Sequence, residues 1–130
     1  MTSDDLPGNN FSSLGYYSKS KLANVQFTVG LADRVSKYPN IKVMSLHPGI
    51  VDSDFATRTP FCSFIGIFKC LCCCCYVDTQ TGARTSLFLS RENFANLRSG
   101  EFYDSDTTLG SMNPLGRNRD HVENLWKTSE

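Results

Sequence analysis

Apolar positions follow a different rule in each stretch of the chain. From Gly15 to about Ser36 they recur at helical spacing: Leu22, Val25, Val29 and Ala32 share one stripe, Phe27, Leu31 and Val35 a second. Lys19, Gln26, Arg34 and Lys37 fill the remaining arc. The pattern predicts a long helix, stopped before Pro39-Asn40, whose broad apolar surface packs on both sides. Ile41 to Leu46 is β-branched and apolar and predicts a short strand after the Tyr38-Pro39-Asn40 turn, ending in His47-Pro48-Gly49-Ile50-Val51-Asp52-Ser53. Residues 61–77 form the greasiest run, broken by one charge, Lys69. Asp78 then reads as the N-cap of a second helix, with Ala83, Leu87 and Leu89 on its apolar side, ending near Ser90. Ser99-Gly100 turns into a short strand at Glu101-Phe102-Tyr103, residues 104–119 carry loop composition, and Val122 to Glu130 predicts a closing helix with Leu125 and Trp126 as its apolar residues. Helix, strand, Pro-Gly loop and helix in succession predict an α/β fold with parallel strands: two short strands and three or more helices.

Composition narrows the classes. A chain of 130 residues with 40% apolar side chains suits one small domain with a core. Thirteen basic and thirteen acidic side chains cancel, without the basic clustering that a nucleic-acid surface requires, so nucleic acid is not an expected partner. The opening, Met1-Thr2-Ser3-Asp4-Asp5, is polar and has no apolar signal core, which predicts no secretory route. Five of the six cysteines fall between Cys70 and Cys75, too close together to staple distant parts of a fold, so a reducing, cytoplasmic setting is expected.

The first helix carries candidate chemistry. Tyr17 and Lys21 lie four residues apart, on one helix face. A tyrosine hydroxyl ordinarily titrates near ~10, too high for proton exchange at neutral pH. A cation beside a phenol stabilises the phenolate and brings such a group toward the working pH. Ligands of parallel α/β sheets bind beyond the carboxyl ends of strands, which makes the loop from His47 to Ser53 a second candidate.

Taken together, Tyr17-Ser18-Lys19-Ser20-Lys21-Leu22-Ala23-Asn24 resembles the Tyr-x-x-x-Lys active-site helix of the short-chain dehydrogenase/reductase family, in the form of its retinol-dehydrogenase-like branch. His47-Pro48-Gly49-Ile50-Val51-Asp52-Ser53 resembles the loop after that family's sixth strand. The resemblance implies the carboxy-terminal half of a Rossmann-like, doubly wound parallel sheet. Residues 1–130 then make a partial domain comprising active-site helix, Pro-Gly loop, apolar lid, final strand and final helix. It implies Tyr17 as the proton donor or acceptor. Lys21 modulates the tyrosine and bonds the cofactor ribose. The Pro48-Gly49 bend wraps the nicotinamide end of NADP or NAD, Val51 holds the carboxamide, and Ser53, where threonine is usual, reaches the pyrophosphate. The implied substrate is a small lipophilic alcohol or carbonyl compound, retinoid-like, covered by the apolar stretch.

Several family features are missing: the glycine-rich strand–turn–helix that meets the pyrophosphate, the Asn-Ala-Gly loop and the catalytic serine. Ser3, 14 residues before Tyr17, is rejected for that serine because no strand can precede it. The expectation is a chain lacking its amino-terminal half, with an open sheet edge. Activity of the chain alone stays open. The alternative is a non-catalytic truncated relative acting as a membrane- or partner-binding protein.

The cysteine block keeps three readings. A metal module is disfavoured because Cys70/Cys73 and Cys72/Cys75 overlap without a second pair. Acylation of Cys70 and Cys72 to Cys75 would attach the chain to a membrane, such as the cytoplasmic face of the endoplasmic reticulum. Otherwise these residues are small buried hydrophobes. At 17 residues, the run is at the bottom of the length that spans a bilayer.

Overall fold

The structure is a computed structural model and describes residues 13–52 and 76–130. Its elements, in order, are α1 (Ser13–Arg34), β1 (Ser45–Leu46), β2 (Ile50–Val51), β3 (Tyr76–Val77), α2 (Thr79–Arg91), a 3₁₀ turn (Phe94–Asn96), β4 (Phe102–Tyr103), a second 3₁₀ turn (Pro114–Arg117) and α3 (Arg119–Ser129). The fold is α/β with parallel strand pairing, as expected of part of a Rossmann-like sheet. Two compact units divide it. One draws on Met1–Ser45, Asn96–Phe102 and Gly110–Glu130, the other on Leu46–Ala95 and Tyr103–Leu109.

The first unit is built on α1. Its carboxy-terminal half does pack on two sides. Gly30 faces α3 so closely that a β-carbon there would lie 2.9 Å from Val122 Cγ1, while Ala32 faces Gly100. The side chain of Trp126 stacks on Phe27 with ring centroids 5.5 Å apart, and the Arg34 guanidinium covers the indole at 3.9 Å. Arg34 also reaches Glu123 at 3.0 Å, so one arginine serves both an aromatic face and a carboxylate.

Helical periodicity misplaces one residue. Gln26 belongs not to the solvated arc but to the interior, at 7% exposure, and its Nε2 donates to the Leu115 carbonyl at 3.0 Å. The Leu115 carbonyl already accepts the Asn118 N–H at 3.4 Å, so the shorter bond from Gln26 chiefly satisfies the buried amide itself. Thr28, also buried, satisfies its hydroxyl on the Asn24 carbonyl one turn back. The helix ends slightly earlier than expected, at Arg34, and unwinds through Ser36 N–H to Asp33 O and Tyr38 N–H to Val35 O before Pro39.

Only the last two residues of the predicted 41–46 strand pair as strand. Upstream, one backbone bond, Gly100 N–H to Val43 O at 2.7 Å, is joined by side chains: Lys42 Nζ donates to Leu97 O at 2.6 Å and the Val43 N–H donates to Ser99 Oγ at 3.0 Å. From β1 onward the ladder is regular. Ser45 N–H donates to Glu101 O, and His47 N–H to Tyr103 O. Donors and acceptors advance together along both strands, the signature of parallel pairing.

In the second unit, Ile50 and Val51 pair in parallel with Tyr76 and Val77. This pairing lay hidden in the sequence inside a Pro-Gly loop and the end of an apolar run. Tyr76 and Val77 therefore close that run as strand rather than lid. α2 starts where expected. Asp78 Oδ1 accepts the Thr81 N–H at 2.6 Å, and that bond, followed by the Thr81 side chain's, holds the Asp78 carboxyl below its ordinary range. Inside the unit, Thr85 is 1% exposed and donates to the Asp104 carbonyl. After β4 the chain turns back through an antiparallel bridge from Tyr103 to Leu109. In that turn the Thr108 hydroxyl, then its N–H, holds the Asp106 carboxyl low.

The stretch read as loop, 104–119, carries more order than its composition suggests. Asn113 caps Pro114–Arg117 and Asn118 caps α3, each by accepting a backbone N–H on its side-chain oxygen.

Candidate functional site

Tyr17 and Lys21 sit one turn apart near the start of α1. The Lys21 ammonium lies 5.3 Å from the centre of the Tyr17 ring, within cation–π range. Helix geometry sets this approach, since side chains four residues apart stack along one face. A neighbouring pair repeats it at three-residue spacing, Lys19 over Tyr16 at 5.8 Å. The Ser20 hydroxyl turns inward to the Tyr17 carbonyl at 2.7 Å, so Ser20 supports the helix turn beneath the pair. Tyr17 is 48% exposed, which leaves its ring accessible to a ligand or a covering segment.

The candidate loop forms a separate cluster in the other unit. It leaves β1 at His47, bends through Pro48 and Gly49 and enters β2 at Ile50. Gly49 adopts φ +81°, a left-handed conformation that suits glycine, and a β-carbon there would touch Val77 and Ser105. Its N–H donates to His47 Nδ1 at 2.9 Å. His47 thus ends a strand and braces the bend, in keeping with the structural role its position suggests. Val51 packs onto the first turn of α2: a β-carbon on Gly82 would stand 2.5 Å from Val51 Cγ2 and 3.6 Å from the Pro48 carbonyl. The structure therefore joins Pro48, Gly49 and Val51 into one cluster with Gly82 and Ser105, two residues that sequence reasoning did not single out. Gly82 in Thr81-Gly82-Ala83 was the visible signal for a close approach. Ser53, Cys70 and Cys72 to Cys75 lie outside the described residues, as does the apolar stretch up to Cys75.

In this cluster the Gly49 N–H is engaged by His47 and Ile50 is exposed, while Val51 lies against α2. No glycine-rich phosphate cradle occurs in the sequence. A cavity of about 490 Å³ lies in the first unit. Val29, Ala32, Tyr38, Ile41, Lys42 and Glu101 help line it, with neither Tyr17 nor Lys21 among the lining residues. Among the described residues no group of three or more His, Cys, Asp or Glu is placed to hold a metal, and no helix is long and apolar enough to cross a membrane.

No family model matches the chain, and no solved structure matches it. Curated relatives do. Retinol dehydrogenase 12 of Bos taurus is 34% identical over 127 residues, 96% of this chain and 38% of that protein. Retinol dehydrogenase 11 of Mus musculus is 34% identical over the same shares. The short chain dehydrogenase/reductase dpmpH of Macrophomina phaseolina is 32% identical over 95% of this chain and 63% of its own length. The chain thus spans well under half of the retinol dehydrogenases it matches. Over nearly all its residues, the chain is similar in sequence to part of the retinol dehydrogenases of the short-chain dehydrogenase/reductase family.

Proposed function

We propose that this chain contributes the proton-transfer residues and the nicotinamide-end loop of an NAD(P)-dependent oxidoreductase acting on a lipophilic alcohol or carbonyl compound, retinoid-like in class. The observation that carries the reading is the Lys21 ammonium seated against the Tyr17 ring on an accessible helix face, in a chain similar to named dehydrogenases. When bound, the nicotinamide accepts or supplies the hydride. Tyr17 takes the hydroxyl proton as an alcohol is oxidised and returns it as a carbonyl is reduced. Lys21 sets its ammonium against the Tyr17 ring and would bond the cofactor ribose. Pro48, Gly49 and Val51 hold the carboxamide, and Ser53 reaches a phosphate. NADP and NAD both suit this reading, because the residues that choose between them belong to the glycine-rich half of the fold.

The test is complementation. The chain is co-expressed with an amino-terminal half carrying the glycine-rich strand–turn–helix, and retinol turnover is followed with each nucleotide. Turnover that vanishes in Tyr17→Phe while nucleotide affinity holds supports the proton role; unchanged turnover defeats it.

A second reading follows from the cysteine block, five cysteines within residues 70–75. The chain would then be a non-catalytic relative bound to membranes through acylated Cys70 and Cys72 to Cys75. Replacing these five cysteines by serine moves the protein out of the membrane fraction on this reading, and an unchanged distribution rejects it.

A further inference from the structure

The bend between β1 and β2 is fixed at both ends by backbone ladders. His47 N–H donates to Tyr103 O at 3.0 Å, and Asp52 N–H donates to Val77 O at 2.9 Å. Between them the Gly49 N–H donates to His47 Nδ1 at 2.9 Å. A side-chain acceptor that reaches the N–H two residues on is the geometry of an Asx turn, usually made by aspartate or asparagine. Imidazole Nδ1 occupies the same branch position as an Asx oxygen but differs in one property. It accepts only while unprotonated; as imidazolium it is a donor facing a donor.

We propose that His47 is a positioning residue that sets the conformation of the Pro48–Val51 bend through its Nδ1, and that protonation of the ring releases the bend. The inference deepens the reading of that bend as the nicotinamide-end loop and takes its functional weight from it. With the ring neutral, the Gly49 amide is turned back onto His47 and φ +81° is held. With the ring charged, that amide is freed toward solvent or ligand. The elements packed around the bend carry Asp52 after β2, Asp78 and Arg84 on α2, and Asp104 and Asp106 in the turn after β4.

The experiment follows the Gly49 amide of the full chain by NMR, reading its protection from hydrogen exchange and its chemical shift from about pH 8 to about pH 5, across the histidine range. Protection that falls in step with protonation of the His47 ring supports the proposal. In His47→Ala, protection at neutral pH drops about fivefold, the worth of one ordinary hydrogen bond, and no longer responds to pH. In His47→Asn, an acceptor that does not titrate, protection is restored and stays flat. A Gly49 amide indifferent to ring protonation, or a His47→Asn variant that behaves as His47→Ala, overturns it. The readout needs no nucleotide, so failure of the oxidoreductase reading leaves it intact.

Discussion

From Gln26 to Arg34, α1 is held by α3 and by the Pro114–Arg117 turn, whereas from Gly15 to Lys21 the same helix shows Tyr17, Lys19 and Lys21 to solvent. The buried end has few bulky side chains of its own. Gly30 and Ala32 are small, Gln26 and Thr28 are polar, and the bulk comes from Val122 and Trp126 across the interface. The open end has bulk and charge in excess, two tyrosines each faced by a lysine. Small residues let backbones approach, and long cationic and aromatic ones stay at the surface. One helix therefore serves as a fixed base at one end and a presented surface at the other. On the proposed reading, stability and chemistry are separable along it.

That separation can be broken at either end. The largest effect belongs to Tyr17→Phe in the complemented enzyme. Loss of a positioned proton donor lowers kcat by about 10²–10⁴-fold. Urea unfolding of the same variant shifts by less than about 0.5 kcal/mol, as for other exposed positions. A stability loss of several kcal/mol would show that Tyr17 belongs to the core instead. Trp126→Ala removes the stack on Phe27 and the Arg34 contact together, and costs about 2–3 kcal/mol, below the value for a fully buried tryptophan. Urea midpoints measure it, and a midpoint unchanged from the parent would mean that α3 does not clamp α1. Gly30→Val drives branched carbons into Val122 and costs about 1–3 kcal/mol by the same assay. Gly30→Ala separates two opposed terms, higher helix propensity against a 2.9 Å contact, and should lie between parent and Gly30→Val.

The smallest effect serves as a control in the other unit. The Asp78 carboxyl is held below its ordinary value of 3.8 by the Thr81 N–H, so its contribution is complete above that value. It fades as pH falls from about there through the lower folded-state value. Asp78→Asn keeps a cap without that charge. Helicity of α2 measured by NMR should lose its dependence on pH below 3.8 in this variant, with α1 unaffected. A dependence retained in Asp78→Asn would assign it to another carboxylate.

Local signals carried much of this architecture. The period of Leu22, Val25, Val29 and Ala32 marked α1, Asp78 marked the start of α2, and the spacing of Tyr17 and Lys21 put their side chains together. What sequence could not disclose depends on contacts between distant residues. Nothing near Gln26 says that its amide will meet the Leu115 carbonyl. The two-residue strand Ile50–Val51 has no pattern of its own and exists because Tyr76–Val77 lies beside it. Lys42 and Val43 read as strand because propensity is blind to the Leu97 and Ser99 groups that capture them. The candidate loop was legible by composition, but its brace at His47 and its seat against Gly82 were not, since both depend on the backbone path through Gly49.

The β2–β3 pairing has one more consequence. Because Val51 and Val77 are neighbours across a ladder, the chain that departs after Val51 must come back to an adjacent strand, about 4.8 Å away. Closing such an excursion costs entropy that grows only with the logarithm of its length, roughly 0.6 kcal/mol for each doubling. Evolution can therefore lengthen, shorten or rewrite the sequence between the two strands at small thermodynamic penalty while the bend and the helix beside it stay as they are.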